Sequence, residues 1–360
     1  MIQFLQWRPC WRRVGAALAR IGCASLVWAT AAVAADAGLS GDSAPVPHSG
    51  AAVYHNPLVP QRADPWVLRD GGNYYFVATV PAFDRIELRR ATTINGLATA
   101  PVKVIWRKHR RGLMGAHIWA PELHRIDGAW YIYFAAGETE RPWNIRIYAL
   151  RNRSANPLQG EWEELGQIKT PLDTFSLDAT TFAHNGKRYL LWAQSDANGT
   201  YNSALLLAEM TSPTTIKPPV VTLSEPEFDW ETAGFKVNEG PAVLQKNGRV
   251  FVSYSAGATD SRYAMGLLWA DVDADLLDKH SWHKSPQPVF YTNAAVKRFG
   301  PGHNSFTVAE DGITDLMVYH ARDYRDIKGD PLRDPNRATR VRVLHWDKHG
   351  MPDFRQAQGD

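Results

Sequence analysis

Cysteine is nearly absent. The 360 residues hold two, Cys10 and Cys23, both within the first 35. If that segment is removed, the remaining chain can have neither a disulfide framework nor a thiol site. No His or Cys cluster has zinc spacing and no run of alternating aspartates resembles a calcium loop, so any ion here would be structural or electrostatic in role. There is no basic face of the kind nucleic acid requires. No sustained run has helical period. What the chain does have is 44% hydrophobic residues, enough for a large core, with no sign of disorder or collagen in its composition.

The N-terminus differs from the rest. Arg8, Arg12 and Arg13 precede an apolar stretch from Val14 to Ala35 that ends in the small residues Ala32, Val33 and Ala34. This is the layout of a secretory signal peptide over 1–35, cut after Ala34 or Ala35. A membrane anchor is the rival reading, but Arg20 interrupts the stretch and alanine dominates it. Arg20 also stands three before Cys23, where a lipoprotein signal needs a leucine-like residue. Residues 36–53, small and polar with Pro45 and Pro47, read as a flexible leader. Four of the 40 basic residues lie in the signal, leaving 36 against 37 acids, so the exported chain carries a net charge near −1. The expectation is a secreted protein, extracellular or periplasmic, with no membrane contact after cleavage and no nucleic-acid partner.

From Tyr54 onward a unit recurs five times: an apolar strand, a turn containing Gly, and a second strand rich in aromatic and β-branched residues. The copies are ADPWVLRDGGNYYFVAT, WAPELHRIDGAWYIYFA, LDATTFAHNGKRYLLWA, EGPAVLQKNGRVFVSYS and HNSFTVAEDGITDLMVYH. Their turn glycines Gly71, Gly128, Gly186, Gly248 and Gly312 are 57, 58, 62 and 64 residues apart. Each follows Asp or Asn, the pair that a tight hairpin uses because Gly accepts positive φ. About sixty residues suit four antiparallel strands, one propeller blade. The prediction is an all-β, five-bladed β-propeller over 54–356, with a β-sandwich as the alternative that the regular interval disfavours. The five repeats consume nearly all residues after the leader, so no appended carbohydrate-binding module is expected within this stretch.

In a propeller the innermost strands converge on one axis, so equivalent positions of separate repeats meet there. Those positions hold Asp64, Asp178 and Glu239 in the first, third and fourth repeats, Ala120 with Glu122 nearby in the second, and His303 with Asn304 in the fifth. Singly, an Asp before Pro is a turn cap and a lone Glu is a solvated surface group. Together, three carboxyls in apolar contexts repel one another and separate a proton donor from a proton acceptor. A proton donor set apart from a proton acceptor is the equipment for cleaving a glycosidic bond. On that reading Trp119 and Trp66 are candidates for stacking on sugar faces, and Arg322 for bonding a substrate hydroxyl, with blade packing or an ion pair as the plainer role of each.

The segments ADPWV, HIWAPELH, SLDAT, NEGPAV and GPGHNSF, in this order from about Asn56 to Phe354, resemble glycoside hydrolase family 43. That resemblance implies an inverting hydrolase with Asp64 as general base, Glu239 as general acid and Asp178 as the residue that tunes and orients the acid. It also implies that His303 faces the axis, where it could contact substrate or a central calcium or other ion, although hydrolysis requires no cofactor. KVNEGPAVLQKNGRVFVSYSA and VYHARDYRDIKGDPLRDPNRATRV are most like the extracellular exo-acting α-L-arabinofuranosidases of that family. Arabinan or another arabinose-containing polysaccharide or oligosaccharide is then the substrate and the enzyme a monomer. β-Xylosidase and endo-arabinanase are the alternatives within the fold, and a non-catalytic sugar-binding propeller the alternative of a different class. The charged stretch from Arg322 to Arg337 is a candidate wall of the substrate site.

Overall fold

The computed structural model describes residues 53–355. The expected signal peptide, 1–35, and all of the leader but Val53 lie outside the described residues.

Nineteen strands build five antiparallel sheets. The first sheet is β1 (Ala63–Asp70), β2 (Asn73–Thr79), β3 (Arg85–Ala91) and β4 (Lys103–Arg107). The second is β5 (Ala116–Ile126), β6 (Ala129–Gly137), β7 (Arg146–Asn152) and β8 (Glu163–Gln167). The third is β9 (Ser176–His184), β10 (Lys187–Gln194), β11 (Ala204–Ser212) and β12 (Thr215–Ser224), and the fourth β13 (Asn238–Lys246), β14 (Arg249–Ala256), β15 (Ala264–Asp271) and β16 (His283–Lys284). The fifth has β17 (Phe299–Val308), β18 (Asp315–Arg322) and β19 (Ala338–Val343). The first strands touch in cyclic order, β1 to β5, β5 to β9, β9 to β13, β13 to β17 and β17 back to β1. This is the predicted five-bladed propeller.

The ring is closed by the start of the domain. Val59 bridges antiparallel to Thr339 and supplies the strand position that the fifth blade lacks. Asn56 fastens the junction, its Nδ2 donating to Val341 O at 2.7 Å and its Oδ1 accepting from Val341 N at 2.8 Å.

Tight turns form where the sequence placed them in three repeats. Asp127-Gly128, Asn185-Gly186 and Asn247-Gly248 each span a two-residue loop with positive φ at both positions. Two repeats differ. In the first, Asp70 pairs with Asn73, so the loop is Gly71-Gly72. In the fifth, Val308 pairs with Asp315 across a longer loop, and Asp311 accepts from Ile313 N and Thr314 N instead of entering a tight turn.

Five apolar clusters fill the five gaps between neighbouring blades, one of them uniting Trp130 and Ile132 of the second blade with Tyr75 and Val77 of the first. Because blades pack on both faces, a middle strand such as β6 is buried at all nine positions and its sequence reads as a continuous apolar run. Truncating a fully buried member such as Trp130 to Ala is expected to cost about 3–5 kcal/mol.

Candidate active site

The same local irregularity occurs in all five inner strands. Asp64, Ala120, Asp178, Gly240 and His303 have φ of 53°, 43°, 53°, 55° and 41°, and pairing with the neighbouring strand slips at each. A bulge of this kind re-aims side chains, and its fivefold use turns one layer of residues to the axis. It also corrects the repeat alignment, because the fourth-blade equivalent of Asp64 and Asp178 is Gly240, with Glu239 one residue earlier. Glycine is needed there: a Cβ would stand 2.9 Å from Cγ of His303, and the Gly240 N–H donates to Asp178 Oδ2 at 3.0 Å.

Asp64, Asp178, Glu239, Trp119 and His303 all line one cavity of about 1070 Å³. Asp64 is the most heavily partnered. The Thr79 hydroxyl donates to its Oδ2 at 2.6 Å, and Arg337 Nη1, His303 Nδ1 and His320 Nδ1 each stand 3.4 Å from its Oδ1. Its backbone N–H donates to His320 Nδ1 at 3.1 Å, which leaves the ring proton of a neutral His320 on Nε2. Glu239 accepts a 2.8 Å hydrogen bond on Oε1 from the Tyr263 hydroxyl.

These surroundings set the three carboxyls apart. Burial works against ionisation of Asp64 but is overcome, chiefly by Arg337, and its carboxyl is held far below the usual range. Burial also lowers His303, and takes His320 down to about 4, so near neutrality Arg337 is the cation that faces Asp64. Asp178 is pushed well up by burial and by the charges of Glu239 and Asp64. Glu239 is pushed up to about 7 by burial and by Asp64, against the Tyr263 hydrogen bond and Arg337. One carboxylate is thus ionised, one carboxyl keeps its proton, and one is poised near neutrality.

Two expected ligand contacts are not at the cavity. Trp66 donates from Nε1 to Leu123 O at 2.7 Å and lies 4.7 Å over His124, packed between the first and second blades, because the bulge at Asp64 shifts the register of the residues after it. Arg322 is 1% exposed and spends its guanidinium on Asp334 Oδ1, Thr259 O and Pro331 O at 3.1, 2.8 and 2.8 Å. The expected wall is there all the same, since Asp330, Pro331, Leu332 and Arg337 of that stretch line the cavity. Trp119 is stacked on His117 at 4.5 Å and meets Phe83 edge-on, and it leads outward to Trp143, 61% exposed at the cavity rim. Sequence reasoning placed Arg337 only at the end of the candidate wall and gave no role to Tyr263, His320 or Thr79; none of the four belongs to a repeat-equivalent position of an inner strand. Glu122 meets His124 Nε2 at 2.9 Å as a buried pair off the cavity, pushed well up by burial.

His303 lines the cavity beside the carboxyls. Among the described residues no group of three or more His, Cys, Asp or Glu could hold a metal, and His303 Nδ1 is already turned to Asp64 at 3.4 Å and Asp178 at 3.8 Å.

A five-bladed propeller with separated carboxyls on its axis defines a propeller-type glycoside hydrolase fold. Residues 54–352 match the model of Glycosyl hydrolases family 43, and the chain belongs to that family. It is 56% identical over 312 residues to the extracellular exo-α-(1→5)-L-arabinofuranosidase of Streptomyces avermitilis, covering 86% of this chain and 65% of that protein. With the protein of the same name from Streptomyces chartreusis it shares 56% over 281 residues, 78% of this chain and 86% of that one. The crystal structure of the α-L-arabinofuranosidase from Lactobacillus brevis superposes with a TM-score of 0.81 at 55% identity, over 84% of this chain and 96% of that one. The chain thus spans just under two thirds of the S. avermitilis protein.

Proposed function

We propose that this protein is a secreted, exo-acting α-L-arabinofuranosidase that removes terminal arabinofuranosyl units from 1,5-linked arabinan or related polymers by inversion. The observation that carries this reading is the gathering of three carboxyls of unlike ionisation on one cavity: Asp64 ionised against Arg337, Asp178 protonated, and Glu239 poised near 7 between them in character. In this scheme Asp64 takes a proton from water as the water attacks the anomeric carbon. Glu239 gives its proton to the departing glycosidic oxygen, and the two positions on opposite faces of the sugar give inversion. Protonated Asp178, held by the Gly240 N–H beside Glu239, orients the acid without adding a charge that competes with it. The names of the relatives support arabinose specificity and secretion. The wall of Asp330, Pro331 and Leu332 supports a closed, exo-type site.

The test is incubation with linear 1,5-arabinan, and separately with the nitrophenyl α-L-arabinofuranoside and β-D-xyloside, following products by chromatography. Arabinose as the sole early product is expected. Early oligosaccharides point to endo action, xylose alone to a β-xylosidase, and binding without turnover to a sugar-binding propeller.

A further inference from the structure

Arg322 is the last residue of β18 and one of the largest fully buried side chains in the protein. Its three acceptors belong to two different connections: Thr259 O lies between β14 and β15, and Pro331 O and Asp334 Oδ1 lie between β18 and β19. A planar guanidinium reaches three acceptors set in different directions; an ammonium on a flexible stem does so poorly. The far side of the clamp is also closed. The Tyr324 hydroxyl donates to Asp334 Oδ2 at 2.6 Å, Asn336 Nδ2 donates to the Tyr324 oxygen at 3.0 Å, and Asn336 N donates to Asp334 Oδ1 at 3.0 Å. Immediately beyond Asn336 comes Arg337, whose Nη1 is 3.4 Å from Asp64 Oδ1.

We infer that Arg322 is a positioning residue: its buried guanidinium clamps the 330–337 segment over the cavity and thereby fixes where Arg337 meets Asp64. The inference rests on the reading of Asp64 as the base. A loosened segment would carry the cavity wall and the Arg337 charge with it, while His303, His320 and Thr79, which reach Asp64 from β17, β18 and β2, would stay. Asp64 would then lose the cation that favours its ionised form. Glu239, which faces Tyr263, Asp64 and Arg337, would be pushed further up.

The experiment compares Arg322→Lys, Arg322→Met and Asp334→Asn with the wild type in two readouts: the pH profile of kcat/KM on nitrophenyl α-L-arabinofuranoside, and hydrogen exchange across 323–337. Arg322→Met is expected to lower kcat/KM about a hundredfold, as a misplaced catalytic group does, and to move the acid limb to higher pH. Exchange should quicken in 323–337 and around Thr259, the other connection that Arg322 holds, and stay unchanged elsewhere. Asp334→Asn should move both readouts the same way, and Arg322→Lys should fall between. If Arg322→Met does not fold, the other two variants decide. Faster exchange with the acid limb unmoved would reduce Arg322 to a structural role and overturn the inference, and unchanged exchange would overturn the clamp itself. A wild type inactive on this substrate defeats the functional reading instead, and the clamp is then judged on exchange alone.

Discussion

The hydroxyl of Tyr263 donates to Oε1 of Glu239 at 2.8 Å, and its ring lies nearly parallel to that of His320, 5.7 Å away with 11° between the planes. Through His320, which stands against Asp64, one stacked pair touches both the proposed acid and the proposed base. A hydrogen bond to the charged form lowers a carboxyl pKa, so Tyr263→Phe should raise that of Glu239 and move the basic limb of kcat/KM to higher pH. A pH–rate profile beside the wild type checks this, and a limb that stays in place or falls contradicts it.

Glu239 has a consequence for stability as well. Its pKa is raised from 4.5 to about 7 in the fold, so its stabilising contribution is complete below about 4.5 and is lost as pH rises through 7. Glutamine imitates the protonated acid and keeps an oxygen for Tyr263. Glu239→Gln should therefore match the wild type at pH 4 and exceed it at pH 8 by roughly 3 kcal/mol, at 1.36 kcal/mol per pH unit. Denaturant unfolding at both pH values measures the difference. An equal gap at both would contradict the assignment.

Gly240 and Gly128 make a matched pair of positive-φ glycines. A Cβ on Gly128 meets nothing within 4 Å, whereas on Gly240 it meets the buried ring of His303 at 2.9 Å. Both alanine variants should lose about 1–2 kcal/mol to backbone strain. Gly240→Ala should in addition lower kcat at least about tenfold by displacing His303 and the N–H on Asp178. Paired melting and kinetic measurements separate the two effects.

Closure of the ring can be loosened without touching the site. Asn56→Ala deletes both hydrogen bonds to Val341 and should cost about 1–3 kcal/mol while leaving kcat/KM unchanged at temperatures where the variant is folded.

How far the sequence carries depends on what each residue's role requires. Blade number was legible because a tight turn needs Asp or Asn before Gly, and that chemistry recurs locally in Asp127-Gly128, Asn185-Gly186 and Asn247-Gly248. The acids were legible because blade symmetry brings them to one axis. What could not be read was the bulge, a backbone feature with no fixed residue type: it turns Trp66 between blades and makes Gly240, not Glu239, the true equivalent of Asp178. Arg322 and Arg337 look alike in a charged, irregular stretch. Only folding decides that the first is sealed behind the wall and the second stands on Asp64.

The central claim is the division of labour between Asp64 and Glu239, and the most direct measurement is kcat for Asp64→Asn and Glu239→Gln on two substrates of unlike leaving group: arabinobiose, and a nitrophenyl arabinofuranoside whose phenolate departs with little help. Each group supplies roughly 10²- to 10⁴-fold as acid or base. Asp64→Asn should lose that factor on both substrates, whereas Glu239→Gln should lose it on arabinobiose and keep much of its rate on the nitrophenyl substrate. The opposite pattern, or equal losses for both variants on both substrates, would contradict the assignment of base and acid.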